Sequence, residues 1–502
     1  MCPAAWRSAA GPNTLPMHKA NKAAHEAQSF SVKRAEVEFH SFASFGEPEK
    51  AMGKYNAENK RRLGVMRHHA AFYGRMTPFL EIGANVGHTS YMLVNEFGEQ
   101  GFALDLSADA LRNGRLVMER LGLQREPVRM AGDALHLPFK DNSLRMVLAF
   151  QMLSQFQDID AVLAEAKRVL QPGGVFVFAE EPIRRLLSLR LYRAPYWDQM
   201  NAWERKLHQW GLLGFLTKDV IGAEQEESFG IRQNHRTTLW DWVNMIDRHF
   251  ASRELSVFVP QRGWGERWTY GMLKRFDRHH SQWLPARFLG GTLAAFCRKA
   301  GEAPPADARF DNIAACFAGL LKCPDCAGGV SMRADLTLAC TECDYTAANQ
   351  DGVYNLLRSH DRQELYPGLR SDVIDFSTDD CAERLIEGFH PIEGIAGNKY
   401  RWINDRAAFR LTPVRPGQRR LRLRGFCGQS YLSQPAPPAI EILANGAPVS
   451  THSVSRPGLF VIESDLPEAA DYEITVLARP SHLNPPDERW LTFNLSLMRL
   501  ID

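Results

Sequence analysis

The chain contains no uninterrupted apolar run near the ~20 residues that a membrane-spanning helix needs, so no span is expected. Its first 16 residues hold Pro3, Arg7 and Pro12 and no apolar core of the secretory type; residues 1–17 read as a disordered tail. A strong charge of one sign is also missing. Lys and Arg total 60 against 58 Asp and Glu, a formal net charge of +2, which gives no global reason to expect a polyanion partner. With no marked basic run either, nucleic acid is an unlikely partner. The nine cysteines are clustered rather than evenly spaced, which fits reduced thiols and a cytoplasmic location better than a disulfide framework. At 502 residues, 45% hydrophobic and 24% charged, the composition is that of a soluble globular chain of two to four domains.

The most informative stretch runs from Phe79 to Ser90. Phe79 to Ile82 read as the end of a buried strand, Gly83-Ala84-Asn85-Val86-Gly87 as the turn off its carboxyl end, and the segment from Thr89 as a helix. In an open parallel α/β sheet, ligands bind at such a turn. Gly83 is expected to supply a positive φ, and Gly87 a place where a ligand meets bare backbone. The spacing is G-x-N-x-G, not the G-x-G-x-x-G that cradles a pyrophosphate. Glu81, directly ahead of the turn, repels phosphate and suits a cation. Together these features point to a positively charged, phosphate-free cofactor.

Gly101 to Asp105 form a second strand ending in a carboxylate about 20 residues further on, where an acid can reach ribose hydroxyls. Val128 to Ala131 run into Gly132-Asp133-Ala134, whose carboxylate could accept from an exocyclic adenine amine. Leu144 to Phe150 and Val175 to Ala179 read as the fourth and fifth strands, with a helix from Ile159 to Leu170 and the turn Gln171-Pro172-Gly173-Gly174 between them. Acids at three successive strand ends make a rim suited to a nucleoside.

Residues 79 to about 182 resemble a class I S-adenosylmethionine-dependent methyltransferase. The glycine turn, Asp105, Gly132-Asp133, Leu137-Pro138-Phe139 and Leu170-x-Pro172-Gly173-Gly174 match that family in order and spacing. The resemblance implies an α/β, Rossmann-like seven-stranded sheet within residues 76–300 and S-adenosyl-L-methionine as cofactor. It implies that Glu81, Gly83, Ala84, Asn85 and Gly87 line the methionine end, Asp105 and Leu106 the ribose, and Asp133 and Ala134 the adenine, with Phe150 completing the set. Asn85 stands where many members carry glycine, and Asn tolerates left-handed backbone.

Around this core, residues 18–75 look helical and polar, either a lid or solvated helices packed on the sheet. The last two strands of the sheet are expected at Leu255 to Val259 and Leu293 to Arg298. A cap insertion of about 183–252 is expected, and eight of the 11 tryptophans fall between Trp197 and Trp283, where they could hold the acceptor or simply pack a helical cap. Arg184 to Arg193 are a candidate for peripheral contact with the inner face of a membrane, with a helix packed on the sheet as the alternative. A hydroxyl acceptor needs a base. Gln151 after the fourth strand, Glu180 and Glu181 after the fifth, and His235 in the cap are the candidates for catalytic roles; a solvated turn residue is the plain alternative for each.

Cys323-Pro324-Asp325-Cys326 and Cys340-Thr341-Glu342-Cys343 form two C-x-x-C knuckles. Four thiolates at this spacing suit a closed, structural tetrahedral Zn²⁺ site in a zinc ribbon over 318–358. So small a unit would draw its folding energy from the metal. The segment, with Gly352 to Leu357, is similar to zinc-ribbon platforms that accompany some methyltransferases acting on RNA, protein or small molecules.

Residues 362–400 read as a polar linker. Beyond them the period changes to two, as in Tyr472-Glu473-Ile474-Thr475-Val476, and Asn445-Gly446 marks a hairpin. An antiparallel β-sandwich is expected over 400–502. With Asn484 to Arg489 it resembles β-sandwich domains appended to bacterial glycosyltransferases and methyltransferases of surface-polysaccharide pathways. Trp402, Tyr431 and Trp490 could stack on sugars or lie in the core. The expected activity is therefore O-methylation of a sugar or terminal phosphate in a surface polysaccharide or its glycolipid precursor. The runner-up is an RNA or protein methyltransferase using the ribbon as platform; a non-catalytic binding module is third. Nothing in the sequence bears on oligomeric state.

Overall fold

The computed structural model describes residues 33, 37, 48–156, 158–184, 201–203, 206, 237–258, 291–395, 398–428, 439–454, 458–484 and 487–501. Helix α1 (Pro48–His68) precedes strand β1 (Phe79–Ile82), α2 (His88–Glu96), β2 (Gly101–Asp105), α3 (Ala108–Arg112) and β3 (Val128–Ala131). Then come β4 (Leu144–Phe150), α4 (Ile159–Val169), β5 (Leu170–Ile183), α5 (Leu239–His249), β6 (Ser252–Phe258) and β7 (Gly291–Arg298). Strands β1 and β2 are buried throughout, as a parallel sheet covered on both faces requires. Strands β1 to β5 pair in parallel, and β7 runs antiparallel between β5 and β6. This is the expected Rossmann-like sheet. Most of the cap insertion, His235 and the basic stretch from residue 185 lie outside the described residues.

Helix α4 shows how local sequence sets these elements. Asp158 caps it, its side chain accepting from the Ala161 N–H. Ile159, Val162, Leu163, Ala166 and Val169 recur at helical spacing and face the core. Full burial of each larger side chain is worth about 1.5–3 kcal/mol. The helix stops as Leu170 turns extended ahead of Pro172.

The ribbon strands β8 (Val330–Met332), β9 (Leu338–Cys340) and β10 (Thr346–Ala347) form a small antiparallel sheet. The chain then re-enters the large sheet through β11 (Asn349–Gln350) and β12 (Val353–Asn355). β12 pairs in parallel with β3, Tyr354 opposite Met130, so the order is β11-β12-β3-β2-β1-β4-β5-β7-β6. Nine strands thus replace the expected seven. Leu321, Val330, Leu338, Tyr345 and Leu356 share one apolar cluster with Phe102 and Phe139. A unit too small for its own core has borrowed its neighbour's, while covering the β3 edge.

Helix α6 (Ser359–Leu365) leads to β13 (Val373–Asp375), β14 (Leu385–Ile395), β15 (Asn398–Leu411), β16 (Arg420–Cys427) and β17 (Ala439–Ala444). Strands β18 (Ala447–Ser453), β19 (Gly458–Asp465), β20 (Tyr472–Arg479), β21 (His482–Asn484), β22 (Asp487–Leu491) and β23 (Asn494–Ile501) follow. The main order is β18-β17-β20-β15-β23-β16-β19, with β13 beside β23 and β14 beside β15. Long β15 pairs with β23 at Arg401 and Trp402 and with β20 from Arg406 to Leu411, so one sheet folds over on itself. Its outer strands meet where Ser464 Oγ lies 2.7 Å from Ser450 Oγ and 2.9 Å from His452 Nε2. The Asn445-Gly446 hairpin is present, with φ of 50° and 82°. The expected linker is not a linker: α6 runs into it, and β13 and β14 lie within it. β14 is an edge strand with no fully buried described side chain, so it shows no apolar alternation to read.

Candidate functional site

The carboxyl ends of β1, β2 and β3 are stitched together by backbone. The Ala84 N–H donates to Leu104 O and the Gly132 N–H to Asp105 O. Asp105 is buried; its Oδ2 accepts from Asn85 N–H at 2.7 Å and its Oδ1 from Ser107 N–H at 2.8 Å. Asp133 accepts from Leu135 N–H at 2.9 Å and from Lys33 Nζ at 2.7 Å, with His136 Nδ1 at 3.2 Å. Burial works to raise the Asp133 carboxyl, but His136 and Lys33 outweigh it and hold it well below the usual range. Glu81 is buried on β1 and accepts from Ser90 Oγ at 2.5 Å. Burial pushes its carboxyl up to about 7 against the pull of Ser90 and Arg62.

Both turn glycines have left-handed backbone, φ 67° at Gly83 and 82° at Gly87. A Cβ on Gly83 would meet the Met152 side chain at 3.0 Å, and one on Gly87 would point at Ala103 and Tyr91. The expectation that Gly87 clears space for a ligand is therefore corrected: it is glycine because of its φ and faces the protein interior. Asn85, Gln151 and Glu180 are also left-handed, with φ of 53°, 56° and 65°. Non-glycine residues in this region cost of order 1 kcal/mol or more each, and such strain gathers at functional sites. All three lie at or near carboxyl ends, of β1, β4 and β5.

Sequence reasoning missed a charged cluster that α1 brings onto the glycine turn. Arg62 is only 4% exposed. Its Nε and Nη2 reach Glu180 Oε2 at 3.0 and 2.9 Å, and its Nη1 donates to Thr89 Oγ1 at 2.6 Å, with His88 Nε2 at 3.0 Å. Its guanidinium lies 4.8 Å from the Phe150 ring centre, a cation–π contact. Tyr55 stacks on His88 at 4.4 Å, and Glu58 Oε2 lies 2.9 Å from His88 Nε2. Burial works to raise Glu58, but His88 and Arg62 hold it at about 2. The Glu58–Arg62 spacing of four was the only signal, and on a polar helix it reads as a solvated pair.

The catalytic candidates separate. Gln151 is exposed at the end of β4. Glu181 is fully buried and accepts N–H bonds from Met152 and Leu153, both 2.8 Å, and Ser154, 3.0 Å. This corrects its expected role as base: the carboxylate holds the turn after Gln151 and does not face an acceptor. Pairing of β5 with β7 is irregular between Phe178 and Glu181, so Glu180 turns outward to Arg61 and Arg62. Leu106 is half-buried and Ala134 buried beside their acids.

The four ribbon thiols converge, with all Sγ atoms within 4.8 Å of one another. Cys323 and Cys343 are 3.6 Å apart, and Cys326 and Cys340 3.5 Å. Thiolates at ~2.3 Å from one zinc in a tetrahedron would be ~3.8 Å apart, so the set fits. The N–H groups of Gly328 and Glu342 approach Cys326 and Cys340 at 3.4 and 3.3 Å, outer contacts that orient such ligands.

Comparison with known proteins bears on the stretch that carries the acidic rim. Residues 80–178 match the family described as "Methyltransferase domain". This domain is 30% identical over 107 residues to norajmaline N-methyltransferase of Rauvolfia serpentina, covering 21% of this chain and 37% of the relative. Demethylmenaquinone methyltransferase of Thermobifida fusca is 36% identical over 116 residues, 22% of this chain and 48% of that one. Fatty-acid O-methyltransferase of Mycolicibacterium smegmatis is 25% identical over 204 residues, 39% and 68%. The chain thus spans under half the length of the first two, and the three names specify different acceptors. Among the described residues, no helix is long and apolar enough to cross a membrane.

Proposed function

We propose that the chain is an S-adenosylmethionine-dependent methyltransferase that O-methylates a sugar or terminal phosphate of a surface polysaccharide or its precursor. The observation that carries the cofactor part is the rim, where acids on or just past three adjacent strands, Asp105 and Asp133 accepting from backbone N–H groups and Glu81 from Ser90 Oγ, lie beside a glycine turn. Asp105 would accept ribose hydroxyls, Asp133 would accept an adenine amine, and Glu81 complements positive charge.

S-adenosylmethionine supplies a methyl on a cationic sulfur, so the protein's share is positioning and exclusion of water. Gln151 presents its amide at the open end of β4 to orient an acceptor. Of the two carboxylates late in β5, Glu180 is the less buried, but Arg61 and Arg62 hold both its oxygens, so its part is to anchor α1 and not to take a proton. Aromatic residues beyond the ribbon support a carbohydrate acceptor. Trp490, 58% exposed, stands opposite exposed Leu483 on the β21–β22 hairpin, and half-buried Trp402 meets Tyr400 edge-on at 6.3 Å. Tyr431 lies outside the described residues. The four cysteines would hold one structural zinc.

The test is transfer of labelled methyl from S-adenosylmethionine to cell-envelope glycan, RNA and protein fractions in parallel. Label in glycan is expected. Label confined to RNA or protein overturns the acceptor, and no cofactor binding overturns the enzyme reading. Metal analysis should find one zinc per chain, and a fully folded metal-free preparation would refute the zinc site.

A further inference from the structure

We propose that Tyr366, beyond the four-cysteine ribbon, is a positioning residue for the ribose-binding carboxylate of Asp105. The inference rests on the cofactor reading above and extends it to a residue some 260 positions away. The Tyr366 hydroxyl donates to Leu106 O at 2.8 Å and accepts from Ala108 N–H at 2.7 Å. It thereby closes the turn Leu106-Ser107-Ala108, whose middle N–H holds Asp105 Oδ1 at 2.8 Å. Ser107 in turn caps α3, its Oγ accepting from Ala110 N–H.

The contact is built into the fold. The N–H of Ala108 lies in the first turn of a helix and has no intrahelical acceptor, so without the phenol it would be a buried donor lacking a partner. Tyr366 and Leu106 pack against Leu357, Leu365 and Val37, while Val353 of β12 lies with Ala103, Ala108 and Leu111 under the same turn. Asp361, on α6, shares Lys33 with Asp133, at 3.1 and 2.7 Å. One segment, 353–366, therefore walls the nucleoside end of the rim. Burial keeps the phenol protonated far above neutrality, so the donor to Leu106 persists across any working pH.

The effect should be specific to cofactor binding. Losing one neutral hydrogen bond at each end of the turn lets Asp105 Oδ1 drift, which weakens binding about three- to tenfold. Because the hydroxyl acts through Asp105, its removal should matter less once that carboxylate has gone.

The experiment is calorimetry of S-adenosylhomocysteine binding to the full chain, its Tyr366→Phe and Asp105→Asn variants, and the double variant. Hydrogen exchange at Ser107 and Ala108 is followed in the free proteins. Expected are a three- to tenfold weaker Kd for Tyr366→Phe with unchanged zinc content, a smaller loss in the Asp105→Asn background, and faster exchange at both amides. Equal Kd for the unmodified chain and Tyr366→Phe overturns the inference. So does the same fold loss in both backgrounds, the mark of a merely structural tyrosine. If the unmodified chain itself fails to bind, the cofactor reading falls first and this inference with it.

Discussion

Asp105 and Glu181 of the parallel sheet and Glu364 and Asp372 of the antiparallel one are buried carboxylates held in different ways. In the parallel sheet, Asp105 and Glu181 accept from two and three backbone N–H groups, although Asp133 there also pairs with Lys33. Beside the antiparallel sheet, Glu364 lies among Arg370 and Arg415, both at 3.2 Å, and Arg499 at 3.8 Å. Fully buried Asp372 pairs with Arg370 at 2.7 Å and accepts from Gln418 Nε2 at 2.9 Å. Backbone donors orient a carboxylate without neutralising it, so the charge stays available to a ligand. Guanidinium groups cancel it, and what they hold together is the fold.

That contrast can be broken by exchanging loss of stability for loss of binding. Asp372→Ala strands Arg370 and Gln418 beside a vacated buried site and should cost about 3 kcal/mol of stability, since removal of one member of a buried pair is strongly destabilising. Urea unfolding measures it, and affinity for S-adenosylhomocysteine should stay unchanged. A fall in affinity would mean the two regions are not separable. Asp105→Asn should show the reverse emphasis. It leaves ribose hydroxyls and one N–H poorly matched, weakening the cofactor by about 1–3 kcal/mol in calorimetry, with a smaller change in the unfolding midpoint. Unchanged affinity would remove Asp105 from the site.

What could be read from sequence follows the range of the forces involved. Strands β1 to β4 are short, mostly apolar runs, the first three closed by glycine or acid, and their observed bounds match the expected ones residue for residue. Arg62 was illegible because nothing within a polar helix shows that one arginine of the pair Arg61-Arg62 will be buried. Which of Glu180 and Glu181 is buried turns on a strand irregularity, which breaks the period of two that would otherwise assign faces. β12 and Tyr366 act on residues more than 200 positions away, where no local pattern records the partner. Sequence thus located the rim's own acids and missed the parts brought to it from α1 and from beyond the ribbon.

The finest test of the contrast is pH, because only an unneutralised carboxylate should titrate against the cofactor's charge. Glu81 is raised to about 7 by burial, above its unfolded value. Its folded form therefore favours the proton: this contribution to stability is complete below the unfolded pKa and is lost as pH rises through about 7. Binding of a sulfonium runs the other way, because it needs the ionised form. Affinity for S-adenosylmethionine should rise up to tenfold per pH unit below 7 and level off above it, with proton release on binding. Burial holds His88 below its ordinary value. S-adenosylhomocysteine, whose sulfur is uncharged, should show a shallower slope, and Glu81→Gln should flatten the curve for both ligands. Equal slopes for the two ligands in the unmodified chain would show that Glu81 does not face the sulfur, and would leave its charge with no more claim on the cofactor than that of Asp372.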